Sequence, residues 1–596
     1  MTSRLVLAFV CLPLAVSFSN AKPLVIVSNH ASPYVIEIAP GASPAIRAAA
    51  DELADVIEQS TGVRLPVAPD AGGRPALRVG ETKMFTGDVV APRPENYRLE
   101  EISIFPHNRD IQIGNDADRS ALYSVHRFLE LSVGARWYAP DEIVIPRREM
   151  LSAPENAVSE MPAFTYRDTD IFEAMRSPSF DAHLRLNGVS CPDLRAFGGA
   201  NRDFAGDENF HELLPPSKYF AEHPEYFSLI DGKRRGDGSA QLCLTNPDVF
   251  QIIVDKLVAR AQADPALTTL PLSPNDAVGG ACQCPGCKAS DEILGGPAGT
   301  ELAFVNRVAA AVDKALPQRH LKVMTLAYQY LEAAPDTVRP ADNVLICFCP
   351  IYACVGHGLQ EDATATNVRA RKNLEAWNAI TKPGNLYIWH YAANFRSYLQ
   401  PVPDWNELSA DIKYYRNLGV GGIFVEGDYQ SIGEMNALRT WLLGKLLWNP
   451  GQPVWPLIEE FCAAYYGAAG PDIVAYLHAL AAPLATPGVH LRIYQSAREG
   501  VLTDDALRNA DAALTRAEAH AVDDKTRRRV ALVRLSLREV DIERSVPGKK
   551  ASDAEKTAYR EKLAAFIGDA KKDGIARLRE GASTDQYAAQ MLAMVK

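Results

Sequence analysis

The chain has 596 residues, of which 47% are hydrophobic and 23% are charged, and its formal net charge is −11. A chain of this length exceeds what one hydrophobic core usually serves, so we expect between two and four domains. The negative charge argues against nucleic acid as a partner, because phosphate binding requires a basic surface. The composition is compatible with a neutral sugar as the ligand, and the oligomeric state stays open.

The first residues have the pattern of a cleavable export signal. Arg4 supplies the positive charge, residues 5–16 form an apolar run that is short for a bilayer span, and Ser19, Asn20 and Ala21 provide a small-residue end. We therefore predict a signal peptide over residues 1–21 and a soluble protein that is secreted or periplasmic. No later stretch has the length and hydrophobicity of a membrane span.

Residues 22–155 have the pattern of a small α+β domain. A helix is expected from Pro44 to Ser60, with Ser43 as its N-cap and Gly62 at its C-terminal end. A second helix is expected from about Arg119 to Leu131. Strands are expected at 24–27, 76–79 and 111–113.

Between residues 160 and 450, strand and helix patterns alternate, which indicates a parallel sheet with helical crossovers. Eight such units within this length favour an α/β fold with a central (β/α)8 TIM barrel. The long segment 191–238 is expected to form loops over the barrel mouth, and residues 451–596 are expected to form a helical domain. The strands are expected at 164–169, 187–190, 240–244, 270–273, 323–327, 344–348, 386–389 and 422–425. Helices are expected between most of them, for instance at 247–261, 300–316, 367–380 and 405–418.

Polar and aromatic residues follow several of these strands, at the barrel end where catalytic side chains are found. Glycoside hydrolysis needs two carboxyl groups, and sugar rings stack on Trp and Tyr. Glu426 follows the apolar run 423–425 and should emerge at the barrel mouth, so it is the first candidate catalytic carboxylate, with Asp276 as its partner. Acids in such positions also cap helices or hold turns, and for Asp276 that alternative is equally weighted. The candidate substrate-binding residues are His211, Asn275, Tyr328, Trp389, His390 and, in a supporting role, Asp428.

The ten cysteines are interpreted in the light of export. Cys11 lies within the predicted signal, which leaves an odd number in the mature chain. Cys282, Cys284 and Cys287 form a C-x-C-x-x-C run soon after Asp276. Such a run can hold zinc with a fourth ligand from elsewhere, or it can form a disulfide that stiffens the loop. In an oxidising compartment we expect the disulfide ahead of the metal, and we predict no metal site or cofactor.

Several motifs resemble the domain-of-unknown-function 4838 family. They are the runs 223–229 (HPEYFSL), 231–234 (DGKR), 241–247 (QLCLTNP) and 273–276 (SPND), together with the C-x-C-x-x-C cysteines. Members of that family have been grouped as glycoside hydrolase family 163, which contains endo-β-N-acetylglucosaminidases acting on complex N-glycans. The resemblance therefore implies a barrel glycosidase with a glycan or oligosaccharide substrate.

The segments 121–125, 128–130 and 134–140 resemble the accessory α+β domain that precedes the barrel in α-glucuronidases and β-hexosaminidases. Hexosaminidases that use the substrate's acetamido group as nucleophile carry an acidic pair after the fourth strand, usually Asp-Glu. Here Asn275 and Asp276 stand in that position, which departs from that pattern. The resemblance covers roughly residues 25–470.

The sequence favours a secreted glycoside hydrolase over two alternatives. One is a carbohydrate-binding barrel without catalytic activity. The other is a structural or adhesive protein whose helical tail is the working surface. Acids at two strand ends favour a hydrolase, because neither of these non-catalytic alternatives requires them. Within the hydrolases, an exo-acting α-glucuronidase or hexosaminidase stays an alternative to the endo-acting enzyme.

Overall fold

The computed structural model describes residues 24–80 and 99–595. The predicted signal peptide, residues 1–21, lies outside the described residues. No helix within the described ranges has the length and apolar character needed to cross a bilayer. The chain forms two compact units, the first ending at residue 160 and the second taking up the chain from Met161 onward, together with Arg136–Val144.

The first unit is built on a mixed six-stranded sheet. In sheet order its strands are Val158–Glu160, Ile102–His107, Asp110–Ile113, Ala76–Val79, Val35–Ile38 and Val67–Ala68. A separate antiparallel pair joins Val25–Val27 to Leu151–Ser152. The helices are Pro44–Thr61 and Asp118–Phe128, and the second continues as a π-helical turn over Leu129–Val133.

The first helix begins and ends as its sequence predicts. The Ser43 hydroxyl accepts a hydrogen bond from the backbone N–H of Ile46, and Pro44 occupies the first turn. Gly62 ends the helix with a φ of 77°, a left-handed conformation that suits glycine. Its apolar stripe, which includes Leu53 and Ile57, is buried.

The second unit contains a curled sheet of six parallel strands. They are β1 (Tyr166–Thr169), β2 (Thr269–Pro271), β3 (Lys322–Ala327), β4 (Val344–Phe348), β5 (Leu386–Tyr391) and β6 (Gly422–Glu426). Their order in the sheet is β1-β6-β5-β4-β3-β2. Because every neighbouring pair is parallel, all six carboxyl ends lie at one edge of the sheet.

Helices follow most of these strands, and the four crossover helices expected from the sequence are present. They are Pro247–Ala263, Pro297–Ala315, Ala365–Ile380 and Trp405–Leu418. The remaining helices before residue 300 are Phe172–Met175, Pro178–His183, Phe210–Leu213, Pro216–Tyr219 and Pro285–Leu294. After β6 come Asn436–Trp448, Val454–Tyr466, Gly470–Ala481, Asp504–His520, Asp524–Arg544, Asp553–Lys572 and Thr584–Met594.

Short antiparallel pairs complete the second unit. They join Arg136–Ala139 to Glu142–Val144, Leu229–Ile230 to Lys233–Arg234, and Arg577–Arg579 to Ala582–Ser583. The last pair belongs to the helical region that was expected over residues 451–596. The separation of that region from the barrel as a domain of its own stays a prediction.

The second and third expected strands, 187–190 and 240–244, are not strands in the structure, so the eight-stranded barrel is observed as a six-stranded curled sheet. At the first position the side chain of Asn187 takes the backbone hydrogen bonds of β1, accepting from Arg167 N and donating to Thr165 O. At the second position Leu242 makes an isolated antiparallel bridge with Phe227. Side-chain amides and local bridges thus replace regular strand pairing along this side of the sheet.

The concave side of the sheet carries its own apolar core. Side chains alternate along a strand, so every second residue of each strand points to this side. The buried members are Tyr166, Phe204, Met324, Leu326, Leu345, Cys347, Cys349, Tyr387 and Phe424, with Tyr328 and Trp389 packed against them. This core forms the floor beneath the carboxyl edge of the sheet.

Candidate active site

A cavity of about 380 Å³ lies above this floor, at the carboxyl edge of the sheet. Six carboxyl groups line it, and they are Asp170, Asp207, Glu208, Asp276, Glu426 and Glu580. Aromatic side chains form much of the remaining wall, namely Tyr328, Trp389, Tyr391, Phe395, Phe424, Tyr429 and Tyr494. Neither lysine, arginine nor histidine is among the described residues of the lining. A cavity with this lining suits an uncharged polar ligand that has flat apolar faces.

Glu426 is the last residue of β6 and points into this cavity. Val425 before it is buried on the other side of the strand, as the alternation of side chains requires. Burial raises the pKa of Glu426 to about 8, and the nearby carboxylates of Glu580, Glu208 and Asp276 add to the rise. Glu426 therefore holds a proton at neutral pH, as a general acid must.

Trp389 on β5 is the direct partner of Glu426. Its indole Nε1–H donates to Glu426 Oε2 at 2.8 Å, and this hydrogen bond favours the ionised carboxylate and lowers its pKa. The indole ring packs edge-on against Phe424, with 4.7 Å between ring centroids. The ring and the hydrogen bond together hold Glu426 in one orientation.

Asp276 lies on the loop after β2 and is exposed to the cavity. The Tyr328 hydroxyl donates to Asp276 Oδ1 at 3.0 Å. Asn275 beside it does not line the cavity. Its side-chain amide is hydrogen-bonded to the backbone: Oδ1 accepts from the His211 N–H and Nδ2 donates to the Ala240 carbonyl. Asn275 therefore positions the loop that carries Asp276, and the expected contact of Asn275 with substrate is not supported.

The four other carboxyl groups of the cavity were not singled out from the sequence. Asp170 directly follows β1, and its Oδ1 accepts a hydrogen bond from Gly427 N at 2.8 Å. Burial raises its pKa well above the usual value, and the neighbouring Glu426 adds to this. Glu208, open to the cavity beside Asp207, has a pKa raised to about 7 by partial desolvation, with Asp276 contributing.

Glu580 enters the cavity from the turn between Arg577–Arg579 and Ala582–Ser583. Tyr429 and Tyr494 donate their hydroxyls to its two carboxylate oxygens, at 3.3 and 3.4 Å. The backbone holds the turn in place, since Glu580 N–H donates to Phe395 O at 3.3 Å. A residue from the last part of the chain therefore forms part of the cavity wall.

Three further residues expected at the site lie outside the cavity. His390 faces the opposite side of β5 from Trp389, where it is buried near Glu407, with 3.7 Å between His390 Nε2 and Glu407 Oε1. His211 lies beside Phe227, and burial lowers the pKa of its imidazole. These positions do not support contact of either histidine with the substrate.

Asp428 is buried behind the turn that follows β6. A side chain at Gly433 would overlap Asp428 Oδ2, because a Cβ there would lie 1.9 Å from that oxygen. Burial raises the pKa of Asp428 to about 7, and Arg439 and Asn436 oppose this rise. This position fits the supporting role expected for Asp428 and not a direct contact with substrate.

The sequence carries unequal signals for these residues. Asp170 continues the alternation of Tyr166 and Asp168 along β1, so the period of two could have identified it. Glu208 lies in an irregular segment without any period, and Glu580 lies more than 150 residues beyond the last strand of the sheet. Neither of these two could be placed at the barrel mouth from the sequence pattern.

The side-chain groups close enough together to hold a metal ion lie outside this cavity in the part of the chain that the structure describes. The cavity's own residues offer proton transfer, a carboxylate partner and aromatic stacking surfaces. These are the components that hydrolysis of a glycosidic bond requires.

Solved structures with a similar fold include a family GH115 4-O-methyl-α-glucuronidase with specificity for decorated arabinogalactans. It has 11% sequence identity and a TM-score of 0.55, and the match covers 92% of this chain and 78% of that one. A GH138 enzyme targeting pectin rhamnogalacturonan II matches with 8% identity and a TM-score of 0.51, over 94% of this chain and 98% of that one. At these identities the likeness shows the fold, which is that of glycoside hydrolases.

A GH20 β-N-acetylhexosaminidase from Streptomyces coelicolor A3(2) also matches, with 15% identity and a TM-score of 0.42, over 74% of this chain and 92% of that one. No curated protein matches the sequence. The family model described as domain of unknown function DUF4838 matches residues 137–478, which is more than half of the chain. The chain therefore belongs to the DUF4838 family, as its motifs indicated.

Proposed function

We propose that this protein is an exported glycoside hydrolase whose active site is the acidic cavity at the carboxyl edge of the sheet. One observation carries the proposal: Glu426 is buried with its pKa raised to about 8, is oriented by Trp389, and shares a cavity with other carboxyl groups and with aromatic side chains. The glycosidase-like fold supports the same reaction class. The six-stranded sheet then represents a (β/α)8 barrel in which irregular segments take the places of the second and third strands.

In the proposed reaction, Glu426 gives its proton to the glycosidic oxygen as the bond between that oxygen and the anomeric carbon breaks. Asp276 acts as the carboxylate partner, which either attacks the anomeric carbon or takes a proton from the attacking water. Tyr328 holds Asp276 in position through its hydroxyl. Trp389 and Tyr391 offer ring faces for sugar stacking. When water completes the reaction, Glu426 regains its proton.

The charge of the cavity favours an uncharged glycan. Six carboxyl groups line the cavity, and no basic side chain among the described lining residues would offset the negative charge of a uronic acid. A neutral sugar or an N-acetylated one meets no such repulsion. This favours an N-acetylglucosaminidase-like activity, which the family resemblance suggests is endo-acting, over the α-glucuronidase alternative, even though one solved structure with this fold is a glucuronidase.

The first test is hydrolysis of a glycan library by the full chain and by Glu426→Gln, with products identified by mass spectrometry. Loss of a general acid is expected to lower kcat/KM for natural glycans by about 10²–10⁴-fold. Glycosides with a dinitrophenyl leaving group need little protonation, so the variant should retain much more of its activity on them. Equal activity of the two proteins on natural glycans would remove Glu426 from the mechanism.

Matched amide variants identify the carboxylate partner. Asp276→Asn should lower activity on both classes of glycoside, because the partner acts whatever the leaving group is. Glu580→Gln and Glu208→Gln are the comparisons within the same cavity. If Asp276→Asn stays active and one of these two does not, the partner assignment moves to that residue. Binding of glycans without any product would instead favour a carbohydrate-binding protein.

Export is tested separately from catalysis. The full sequence, expressed with its first residues intact, should appear outside the cytoplasm and begin after residue 21 when its N-terminus is sequenced. An unprocessed chain found in the cytoplasm would contradict export without affecting the proposed chemistry.

A further inference from the structure

Four cysteines meet at a place in the second unit that is separate from the cavity. Cys282, Cys284 and Cys287 come from the loop after β2, and Cys243 comes from the segment that was expected to be the third strand. All four are buried, and their sulfur atoms lie within 4.8 Å of one another. The sequence favoured a disulfide in this loop, but none of the described cysteines forms one.

Two sulfur–sulfur distances match those of a tetrahedral metal site, and all four sulfur atoms lie within 4.8 Å of one another. Cys243 Sγ lies 3.6 Å from Cys284 Sγ and 3.8 Å from Cys287 Sγ. Four sulfur atoms placed about 2.3 Å from a central zinc ion are about 3.8 Å apart at tetrahedral angles. A disulfide would require about 2.05 Å, and the sulfur atoms are nowhere near that separation. The arrangement already has the spacing that zinc needs.

Hydrogen-bond donors face the sulfur atoms of Cys282 and Cys284. The backbone N–H of Leu229 donates to Cys282 Sγ at 3.3 Å, and that of Cys287 donates to Cys284 Sγ at 3.4 Å. The Arg234 guanidinium approaches Cys282 Sγ at 3.6 Å and offsets negative charge. Such contacts orient metal ligands and tune their basicity.

From this geometry we infer that Cys243, Cys282, Cys284 and Cys287 bind one zinc ion. A site made of four thiolates leaves no open position, so the zinc is structural. It joins the loop after β2 to the segment 226–246. The inference does not depend on the proposed function, because none of these four cysteines lines the cavity in which Glu426 lies.

The site braces the loop that carries Asp276. Gln241 lies two residues before Cys243 and makes two hydrogen bonds to the backbone of Asn275. Its Oε1 accepts from the Asn275 N–H at 2.8 Å, and its Nε2 donates to the Asn275 carbonyl at 3.0 Å. Zinc bound at Cys243 and Cys282 would therefore hold both ends of this contact. Removing the metal should loosen the loop and lower the thermal stability of the protein.

The test is elemental analysis of the full chain, purified without a histidine tag and without chelators. We expect one zinc per chain in the wild type and in Cys462→Ser, which changes a buried cysteine far from the cluster. In the double variant Cys282→Ser/Cys287→Ser the zinc content should fall at least about tenfold. Zinc retained in the double variant would overturn the assignment and point instead to the group of Cys354, His357, Asp362 and His490.

A second measurement on the wild type covers the case in which the double variant does not fold. Protein in which Co²⁺ replaces the zinc should show the intense absorption of a tetrahedral thiolate complex. Peptide mapping without reductant should find the four cysteines unlinked. A disulfide between any two of them, or no cobalt–thiolate absorption in protein that is otherwise folded, would overturn the inference.

Discussion

The pKa of Glu426 results from opposing influences that single residues control. Burial and the neighbouring carboxylates raise it to about 8, while the indole N–H of Trp389 opposes the rise. A general acid must be protonated, so kcat/KM is expected to fall as the pH rises through about 8. A pH profile measured on a hydrolysed glycan tests this directly. An alkaline limb that is the same in Glu426→Gln would assign it to another group.

Trp389→Phe is expected to move this alkaline limb to higher pH. The substitution keeps an aromatic ring but removes the N–H donor that favours the ionised form of Glu426. Trp455→Phe is the matched control, because the Trp455 indole donates to Asn406 outside the cavity. A limb that does not move, or that moves to lower pH, would contradict the role of this hydrogen bond.

The sequence singled out Glu426 and Trp389 because each lies at or near the carboxyl end of a regular strand, where catalytic side chains are found in a barrel. The sequence singled out His390 because it follows the expected strand 386–389, and in the structure its side chain lies on the other side of β5 from Trp389. For Asn275 the sequence has no such guide, since a loop has no period that separates a ligand-binding amide from one that binds backbone, as the Asn275 amide does. Regular strands are predictable at this scale, and loops are not.

At the scale of elements, the irregular segment beside β1 depends on a close approach of Gly188 to Asp168. Asp168 is buried and its Oδ2 accepts hydrogen bonds from Tyr166 Oη at 2.6 Å and from Ser190 Oγ at 2.8 Å. A Cβ at position 188 would lie 2.0 Å from Asp168 Cγ. No side chain fits there without displacing this carboxylate and its partners.

Gly188→Ala is therefore expected to destabilise the protein by about 1–3 kcal/mol, the range of strain from overpacking a filled interior. The measurement is the midpoint of urea unfolding. Gly279→Ala is the control, because nothing lies within 4 Å of a Cβ built there. Equal urea midpoints for the two variants would show that Asp168 can move away from an added Cβ without loss of stability.

The same segment explains why part of the fold could not be predicted from the sequence. Residues 187–190 were expected to form a strand, but the Asn187 amide replaces strand hydrogen bonds and Gly188 packs against a carboxylate. Both interactions join residues about 20 positions apart, beyond any local pattern. The helix Trp405–Leu418, by contrast, has the bounds expected from its sequence, because an apolar stripe and Gly419 at its end are local signals.

At the scale of the whole molecule, several buried acids hold protons that the unfolded chain releases. Burial raises the pKa of Glu434 and Glu426 to about 8, and that of Asp428 and Glu539 to about 7. Each of these folded pKa values lies above the unfolded one. The stability they contribute is therefore present below about pH 4 and is lost as the pH rises through 7 to 8. The melting temperature should fall between pH 5 and pH 8, and a constant or rising value would contradict this.

Glu539→Gln should make that fall shallower. The amide resembles the protonated carboxyl, keeps an acceptor for the Tyr587 hydroxyl and does not ionise. Glu561→Gln, at an exposed position of the neighbouring helix Asp553–Lys572, is the control and should leave the slope unchanged. Identical slopes for the two variants would remove Glu539 from the acids that cause the pH dependence.

The position of Glu580 near the end of the chain affects when the cavity is completed during synthesis. The six strands and Glu426 are all synthesised by residue 426, yet the cavity receives the carboxylate that Tyr429 and Tyr494 hold only when residue 580 has been made. A nascent chain can thus assemble its sheet early and still have an unfinished cavity for the following 150 residues of translation. Completion of the acidic lining is a late event in biogenesis, which separates folding of the scaffold from the onset of its chemistry.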